Sequence, residues 1–255
     1  MNPALRTLLT TAFISACLLC LIHAGDAAAS HWTYHGNQGP AHWGELGNTL
    51  CAGGANQSLV NIDRQHLSAS RVDAGSLRLH YLLSPMLALN NGHSVQVTPL
   101  SHMGLTYQGT PYRLQQLHFH TPSEHQFEGR EYPMEMHLVH QADDGRLLVI
   151  GLMIETGEEN TALARLFEAL PKQEGKDMRL DVLKAPNLKT LLPTQGHHLF
   201  YNGSLTTPPC SEGVQWVFYE QPIQLSARQI KRFRRLFPDN HRPVRELAGR
   251  DVGED

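Results

Sequence analysis

Seven short segments constrain what this chain can become. SLRLHYLL (76–83), SVQVTP (94–99), YRLQQLHFH (112–120), MEMHLVHQ (134–141), RLLVIGLMIE (146–155), HHLFYNGSL (197–205) and VQWVFYEQPI (214–223) alternate or run apolar for a strand's length. Gly, Pro, Asn or Asp clusters separate most of them, which is the signature of strands and turns. Only two segments carry helical spacing. NTALARLFEALP places Leu163, Leu166, Phe167 and Leu170 together. SARQIKRFRRLF opens with Ser226 and Gln229 in a capping-box arrangement ahead of Ile230, Phe233 and Phe237. Many strands and few helices predict a mainly β single domain. It is built on one large twisted, mostly antiparallel sheet with a few short peripheral helices.

The first 29 residues read as something other than fold. MNPALR carries Arg6, an apolar run follows, and GDAAAS offers Ala27-Ala28-Ala29 as a small-residue cleavage site. That order of regions is a secretory signal peptide over residues 1–29, ahead of a domain over 30–255. Two alternatives stay open. ISAC resembles a lipoprotein site with Cys17 as the lipidated residue, and Leu8 to Ala24 is close to the lower length limit for an uncleaved anchor. All three imply export. The net charge of -3, with acids and bases interspersed, argues against a nucleic-acid surface. No stretch after residue 30 is apolar for long enough to span a membrane, so no membrane contact is expected once the leader is gone.

Cys17 and Cys20 lie inside the apolar leader, which leaves Cys51 and Cys210 as an even pair in an exported chain. Export favours a disulfide between them. The loop it would close is about 160 residues, for which the chain-entropy model gives roughly 4–5 kcal/mol.

Two histidines one residue apart, His118 and His120, flank Phe119 in a stretch that reads as a strand. Alternation puts the two imidazoles on one face and Phe119 on the other, their Cα atoms about 6.5–7 Å apart. Strict alternation over 112–120 would set Tyr112, Leu114, Gln116, His118 and His120 on that face, against Arg113, Gln115, Leu117 and Phe119. In MEMHLVH, Glu135, His137 and Val139 share one face, while Met136, Leu138 and His140 take the other. Glu135 and Gln116 are suitably typed to accept the second N–H of a ligating histidine. Three histidines with a fourth position open make a catalytic zinc site. From the residues alone, His125 and His140 compete with His137 for the third place.

The chain resembles an α-class carbonic anhydrase over its whole mature length. HWTYHGNQGPAHWGEL and NQSLVNI are similar to that family's N-terminal signature and NNGH to its shuttle segment. QLHFHTPSEH and MEMHLVH resemble its metal strands, YNGSLTTPPCSEGVQW its closing loop, and NHRP its C-terminal Asn-x-Arg-Pro. The resemblance implies the α-carbonic anhydrase fold and a Zn2+ cofactor. It implies reversible hydration of carbon dioxide to bicarbonate and a proton, by attack of hydroxide held at zinc with a histidine proton shuttle. His118, His120 and His137 match the metal ligands, and Gln116 and Glu135 their hydrogen-bond partners. Thr206 and Glu124 match the pair that orients the hydroxide, and His93 matches the shuttle. Tyr34, Asn91 and Gln96 line the proton path. Val139, Val149, Leu205, Thr207 and Trp216 form the substrate pocket. Cys51 and Cys210 match the disulfide of exported members, and Asn240 and Arg242 a supporting segment without catalytic role. His125 and His140 receive no metal role. Thr121 and Gln96 depart from residues common in animal members, at positions expected beside the chemistry.

The residue types suit that reaction. Three neutral imidazoles leave the zinc its charge, where thiolates would offset it. Carbon dioxide has no net dipole, so its pocket is apolar, and an imidazole titrating near neutral pH suits proton export. Partners are then the small-molecule substrate alone, in the periplasm, with the protein a monomer or homodimer. A second reading is a related binding module that has lost activity; it predicts loss of a metal histidine, and all three are present. A third, zinc storage, predicts a His-rich tract, whereas the 16 histidines are scattered.

Overall fold

The computed structural model describes residues 31–255 except residue 72. The proposed leader, with Cys17 and Cys20, lies outside the described residues. Among those described, twelve strands form one sheet. Its order runs Asp177–Leu180, Met86–Asn90, Val95–Pro99, Thr110–His120, Met134–Gln141, Leu147–Thr156, Glu212–Leu225, His198–Ser204, Val252–Glu254 and Leu67–Arg71. Gly104–Tyr107 pairs beside Thr110–His120 and carries Leu77–His80 on its far edge. Pairing is antiparallel except between Leu147–Thr156 and Glu212–Leu225, and between Val252–Glu254 and Leu67–Arg71. A small second sheet joins Asn61–Ile62 to Gln126–Phe127. The mainly β architecture expected from the sequence is the one observed, and no described helix is long and apolar enough to cross a membrane.

All seven predicted segments contain strands. The two predicted helices are present but shorter, at Ala164–Glu168 and Ala227–Arg234. The second starts at the expected capping box, with Ser226 accepting from Gln229 N and Gln229 Oε1 accepting from Ser226 N. The N-terminal end of a helix leaves backbone N–H groups unpaired, and this reciprocal pair satisfies two of them.

The two faces of the sheet do different work. Along Leu147–Thr156, Leu148, Ile150, Leu152 and Ile154 enter the main core, beneath both helices. Leu147, Val149 and Met153 point to a second core on the opposite face, with Tyr201, Trp216 and Phe218. The alternation follows from the two-residue period of a strand buried on both sides. Gly151 interrupts the second set for a steric reason. A Cβ there would stand 2.5 Å from the Phe218 ring, in the row where Gly151 faces His137 on one side and Phe218 on the other.

One expectation fails. Tyr112 and Leu114 lie in the main core with Leu117 and Phe119, not on the histidine face. The register of Thr110–His120 against Met134–Gln141 shifts between Leu114 and Gln116. A bulge adds one residue to the strand, so side chains before and after it exchange faces. The metal half of the strand, from Gln116 onward, keeps the predicted parity.

Cys51 and Cys210 are joined by a disulfide. With Trp43 they make a third small core under the N-terminal segment. Phe119 is the anchor of the histidine strand: fully buried, its ring meets Phe167 at 5.2 Å and Phe233 at 5.7 Å, both edge-on. Truncation to Ala should therefore cost about 3–5 kcal/mol in urea unfolding. A loss below about 1 kcal/mol, the scale of a residue outside a packed core, would show that the helices do not clamp this strand.

Candidate active site

His118 and His137 face each other directly across the central strand pair, and His120 faces Glu135. Their rings lie 4.7–5.2 Å apart between centroids. One nitrogen of each falls within 4.8 Å of the others. The remaining nitrogens are occupied. His118 Nδ1 meets Gln116 Oε1 at 2.8 Å, His120 Nδ1 meets the Asn240 carbonyl at 2.7 Å, and His137 Nε2 meets Glu135 Oε1 at 2.6 Å. Each acceptor fixes its ring so that the other nitrogen faces the common centre unprotonated.

Burial reinforces this. It pushes His118 well below the usual imidazole range, helped by His120 and His137. His120 is lowered by burial and His137 to about 3. Burial lowers His137 too, against the pull of Glu135. Three neutral imidazoles are what a cation requires.

The donor set passes a test of fit for zinc. His120 Nε2 is buried without a hydrogen bond, its nearest charged neighbour being Glu124 Oε2 at 3.3 Å, itself unbonded, an expensive arrangement unless something else is bound there. The set is all nitrogen, on three side chains, as in catalytic zinc sites. His125 and His140 do not belong to it. His125 Nδ1 meets Glu135 Oε1 at 2.7 Å and its Nε2 meets Tyr201 Oη at 2.6 Å, so both nitrogens are spent. His140 lies on the other face, 2.8 Å from Tyr81 Oη.

The two carboxylates have opposite surroundings. Glu135 is penalised by burial, yet His125, His137 and the N–H groups of Glu124 and His125 outweigh that and hold it well below the usual range. Glu124 is pushed up by burial and by Glu135, while the Arg242 N–H at 2.9 Å and the Thr206 hydroxyl act in the opposite sense. A cation among the three histidines would also favour its charged form.

The apolar side of the site is a row across three strands. Val149 pairs with Val139 on one side and Trp216 on the other, and Leu205 packs against the same cluster. Trp216 is held by its indole N–H to the Ser204 carbonyl at 3.1 Å and meets the His137 ring edge-on, centroids 4.9 Å apart. Thr206 is buried and Thr207 half-buried in the turn that ends at Cys210.

His93 stands at the end of the neighbouring hairpin. Its ring lies flat on Trp32, centroids 3.7 Å apart, with Tyr34 at 6.4 Å. Asn91 Oδ1 accepts from the N–H groups of His93 and Ser94, so that side chain shapes the turn. Gln96 sits half-buried on the Val95–Pro99 strand. Thr121, expected beside the chemistry, turns its hydroxyl toward the C-terminal stretch. It is fully buried, its hydroxyl donating to the Phe237 carbonyl and its N–H to Asn240 Oδ1.

Three contributors were not legible in the sequence. Asn240 holds His120 through a backbone carbonyl, which carries no residue signature. Trp32 reveals its role only by stacking on a residue 61 positions away. His125 braces Glu135, and a carboxylate with two histidine partners was the only available signal.

Comparison with known proteins agrees with this geometry. A family profile described as eukaryotic-type carbonic anhydrase matches residues 38–254. A carbonic anhydrase of Klebsiella pneumoniae is 41% identical over 234 residues, covering 89% of this chain and 92% of that one. The α-carbonic anhydrase of Thermovibrio ammonificans, solved with the inhibitor sulfanilamide, superposes with a TM-score of 0.82 at 35% identity, covering 88% of this chain and 99% of that one. Dioscorin complexed with ascorbate shares the fold at a TM-score of 0.79 and 25% identity, covering 88% and 97%.

His140 gives a test that is independent of any metal. Burial lowers its pKa to about 3, against an ordinary value of 6.5. The unfolded chain takes up a proton below about 6.5 that the folded chain refuses, so stability is complete above that pH and lost as it falls toward about 3. Unfolding free energy of the metal-free protein should drop across that window, and His140→Gln should lessen the slope. An unchanged slope would mean that His140 is accessible to protons in the folded state.

Proposed function

This chain belongs to the eukaryotic-type carbonic anhydrase family and is an enzyme of that class, and we propose that it hydrates carbon dioxide reversibly at a zinc ion held by His118, His120 and His137. The observation that carries the reading is the set of three converging nitrogens whose outer partners are already satisfied. Zinc in that position supplies the charge that makes hydroxide available from water near neutral pH.

The chain's own residues do the rest. The Thr206 hydroxyl gives its proton to Glu124, so its oxygen is left to accept from the attacking hydroxide and to aim it. Glu124 Oε1 takes the Arg242 N–H, which favours the charged, accepting form of this carboxylate. Val139, Val149, Leu205 and Trp216 offer a nonpolar substrate a surface with no competing hydrogen bonds, bordered by Thr207. Gln116 and Glu135 keep the ligand rings in register. His93 receives the proton and releases it outward, with Tyr34, Asn91 and Gln96 lining the way.

Residues 1–29 act as an export leader and 30–255 as the catalytic domain, working in the periplasm as monomer or homodimer. The Cys51–Cys210 disulfide supports an oxidising compartment. Retention of all three histidines, with Thr206 and Glu124, supports activity over a binding role.

Proton export separates this mechanism from others. His93→Ala should lower kcat by up to about 100-fold, the low end for a positioned acid–base group. The effect on kcat/KM should be much smaller, because the proton leaves after bicarbonate. Imidazole buffer should restore much of the rate. Undiminished kcat in weak, non-shuttling buffer would remove His93 from the mechanism.

A further inference from the structure

His93 lines a hollow of about 410 Å³ at the protein surface, together with His31, Tyr34, His35, Glu174 and Asp239. One face of its ring is covered by Trp32, and its carbonyl accepts from Asn240 Nδ2 at 2.9 Å. The feature without an assigned purpose is Glu174. Its side chain passes over Gly92, the residue before His93: a Cβ on Gly92 would stand 2.8 Å from Glu174 Oε1 and 3.3 Å from its Cγ. Gly92 has φ +84°, so the turn favours glycine there, and the absence of a side chain leaves room for the carboxylate to lie across it.

Glu174 is fixed there by its loop rather than by its own side chain. Gly175 N donates to the Asn90 carbonyl at 2.8 Å and Asn90 N to the Lys176 carbonyl at 3.0 Å. Asn90 Nδ2 donates to the Pro171 carbonyl at 3.1 Å. Asp177–Leu180 then continues as the strand beside Met86–Asn90. Three hydrogen bonds thus tie the loop to the residue three before His93. Among the described residues, no hydrogen bond or ion pair engages the Glu174 carboxylate itself. Asp239, the other carboxylate of the hollow, is paired with His241 Nδ1 at 2.6 Å.

A half-buried imidazole with a second imidazole near it resists a positive charge, although the indole face against which it stacks favours one. Burial and His31 both disfavour the charged form of His93, and Glu174 favours it. The charged or titratable groups facing the ring are His31, Tyr34 and His35 from the N-terminal segment, Glu174 from its loop and Asp239 from the C-terminal stretch. Only Glu174 brings an uncommitted negative charge. A shuttle works best when it takes and releases protons near the ambient pH.

We propose that Glu174 is a positioning residue for proton export, its carboxylate balancing the charge that His93 gains each time it takes a proton. This rests on the reading of His93 as the shuttle. It predicts that His93 titrates at lower pH once Glu174 is neutral.

The test uses the zinc-loaded enzyme and its Glu174→Gln and Glu174→Asp variants. The titration midpoint of His93, followed by NMR of its ring, should fall in Glu174→Gln and be largely kept in Glu174→Asp. The difference between wild type and Glu174→Gln should shrink in high salt. The kcat of Glu174→Gln in weak buffer should fall about two- to threefold, the scale of one unit charge acting through solvent. Its kcat/KM and thermal unfolding should not move, which separates this role from a structural one. An unchanged His93 midpoint in Glu174→Gln, with kcat still sensitive to His93→Ala, would overturn the proposal and leave the shuttle standing. Undiminished kcat in His93→Ala would overturn the shuttle reading and the proposal with it.

Discussion

Asn240 is the residue on which the site's construction depends. It is 1% exposed, and its polar atoms each find a partner. Its carbonyl takes His120 Nδ1, its N–H gives to the Thr121 carbonyl, and its Oδ1 takes the Thr121 N–H. Its Nδ2 donates to the carbonyls of Phe119 and His93. The backbone and side chain of this one residue therefore lock the end of the Thr110–His120 strand, the His120 ring and the turn at His93 to the C-terminal stretch. A buried polar group left without its partner costs about 1–3 kcal/mol. Few other arrangements of those three segments could satisfy every one of these groups. Two residues on, Arg242 extends the clasp to the carbonyls of Cys51 and Ser58, next to the disulfide.

Given that frame, the electrostatics follow from burial. Three imidazoles out of water lose their protons, and each keeps one nitrogen occupied by a fixed acceptor. Two buried carboxylates separate in character because their donors differ: Glu135 collects histidines and backbone N–H groups, whereas Glu124 has one N–H and one hydroxyl. Environments that push like groups apart are a general way of assigning different roles to them. Glu135 braces His125 and His137, and Glu124 lies 3.3 Å from His120 Nε2.

Much of this was legible before the structure. The strands, the face shared by His118 and His120, and the pairing of Glu135 with His137 all follow from a two-residue period. That same rule failed at Tyr112 and Leu114, because a bulge is a property of the strand pair and leaves no mark in one strand's sequence. The strands Met86–Asn90, Gly104–Tyr107 and Val252–Glu254 were missed for a related reason. They are short, and their partners rather than their own pattern make them strands. The choice of His137 over His140 and His125 needed the resemblance to carbonic anhydrases. Burial on both faces of Met134–Gln141 makes both of its histidines look inward, and only three-dimensional pairing shows which direction leads to the site. Asn240 and Trp32 act over 120 and 61 residues of separation, beyond any local signal.

The central claim is that this fold aims three histidine nitrogens, and no others, at one ion. X-ray absorption at the zinc edge of the purified protein tests it without reference to activity. The account predicts one zinc per chain with three imidazole nitrogens at about 2.0–2.1 Å and no sulfur. It also predicts that His137→Ala alters that signal while His125→Ala leaves three imidazoles in place. A sulfur shell near 2.3 Å, or an imidazole count that falls in His125→Ala but not in His137→Ala, would contradict it.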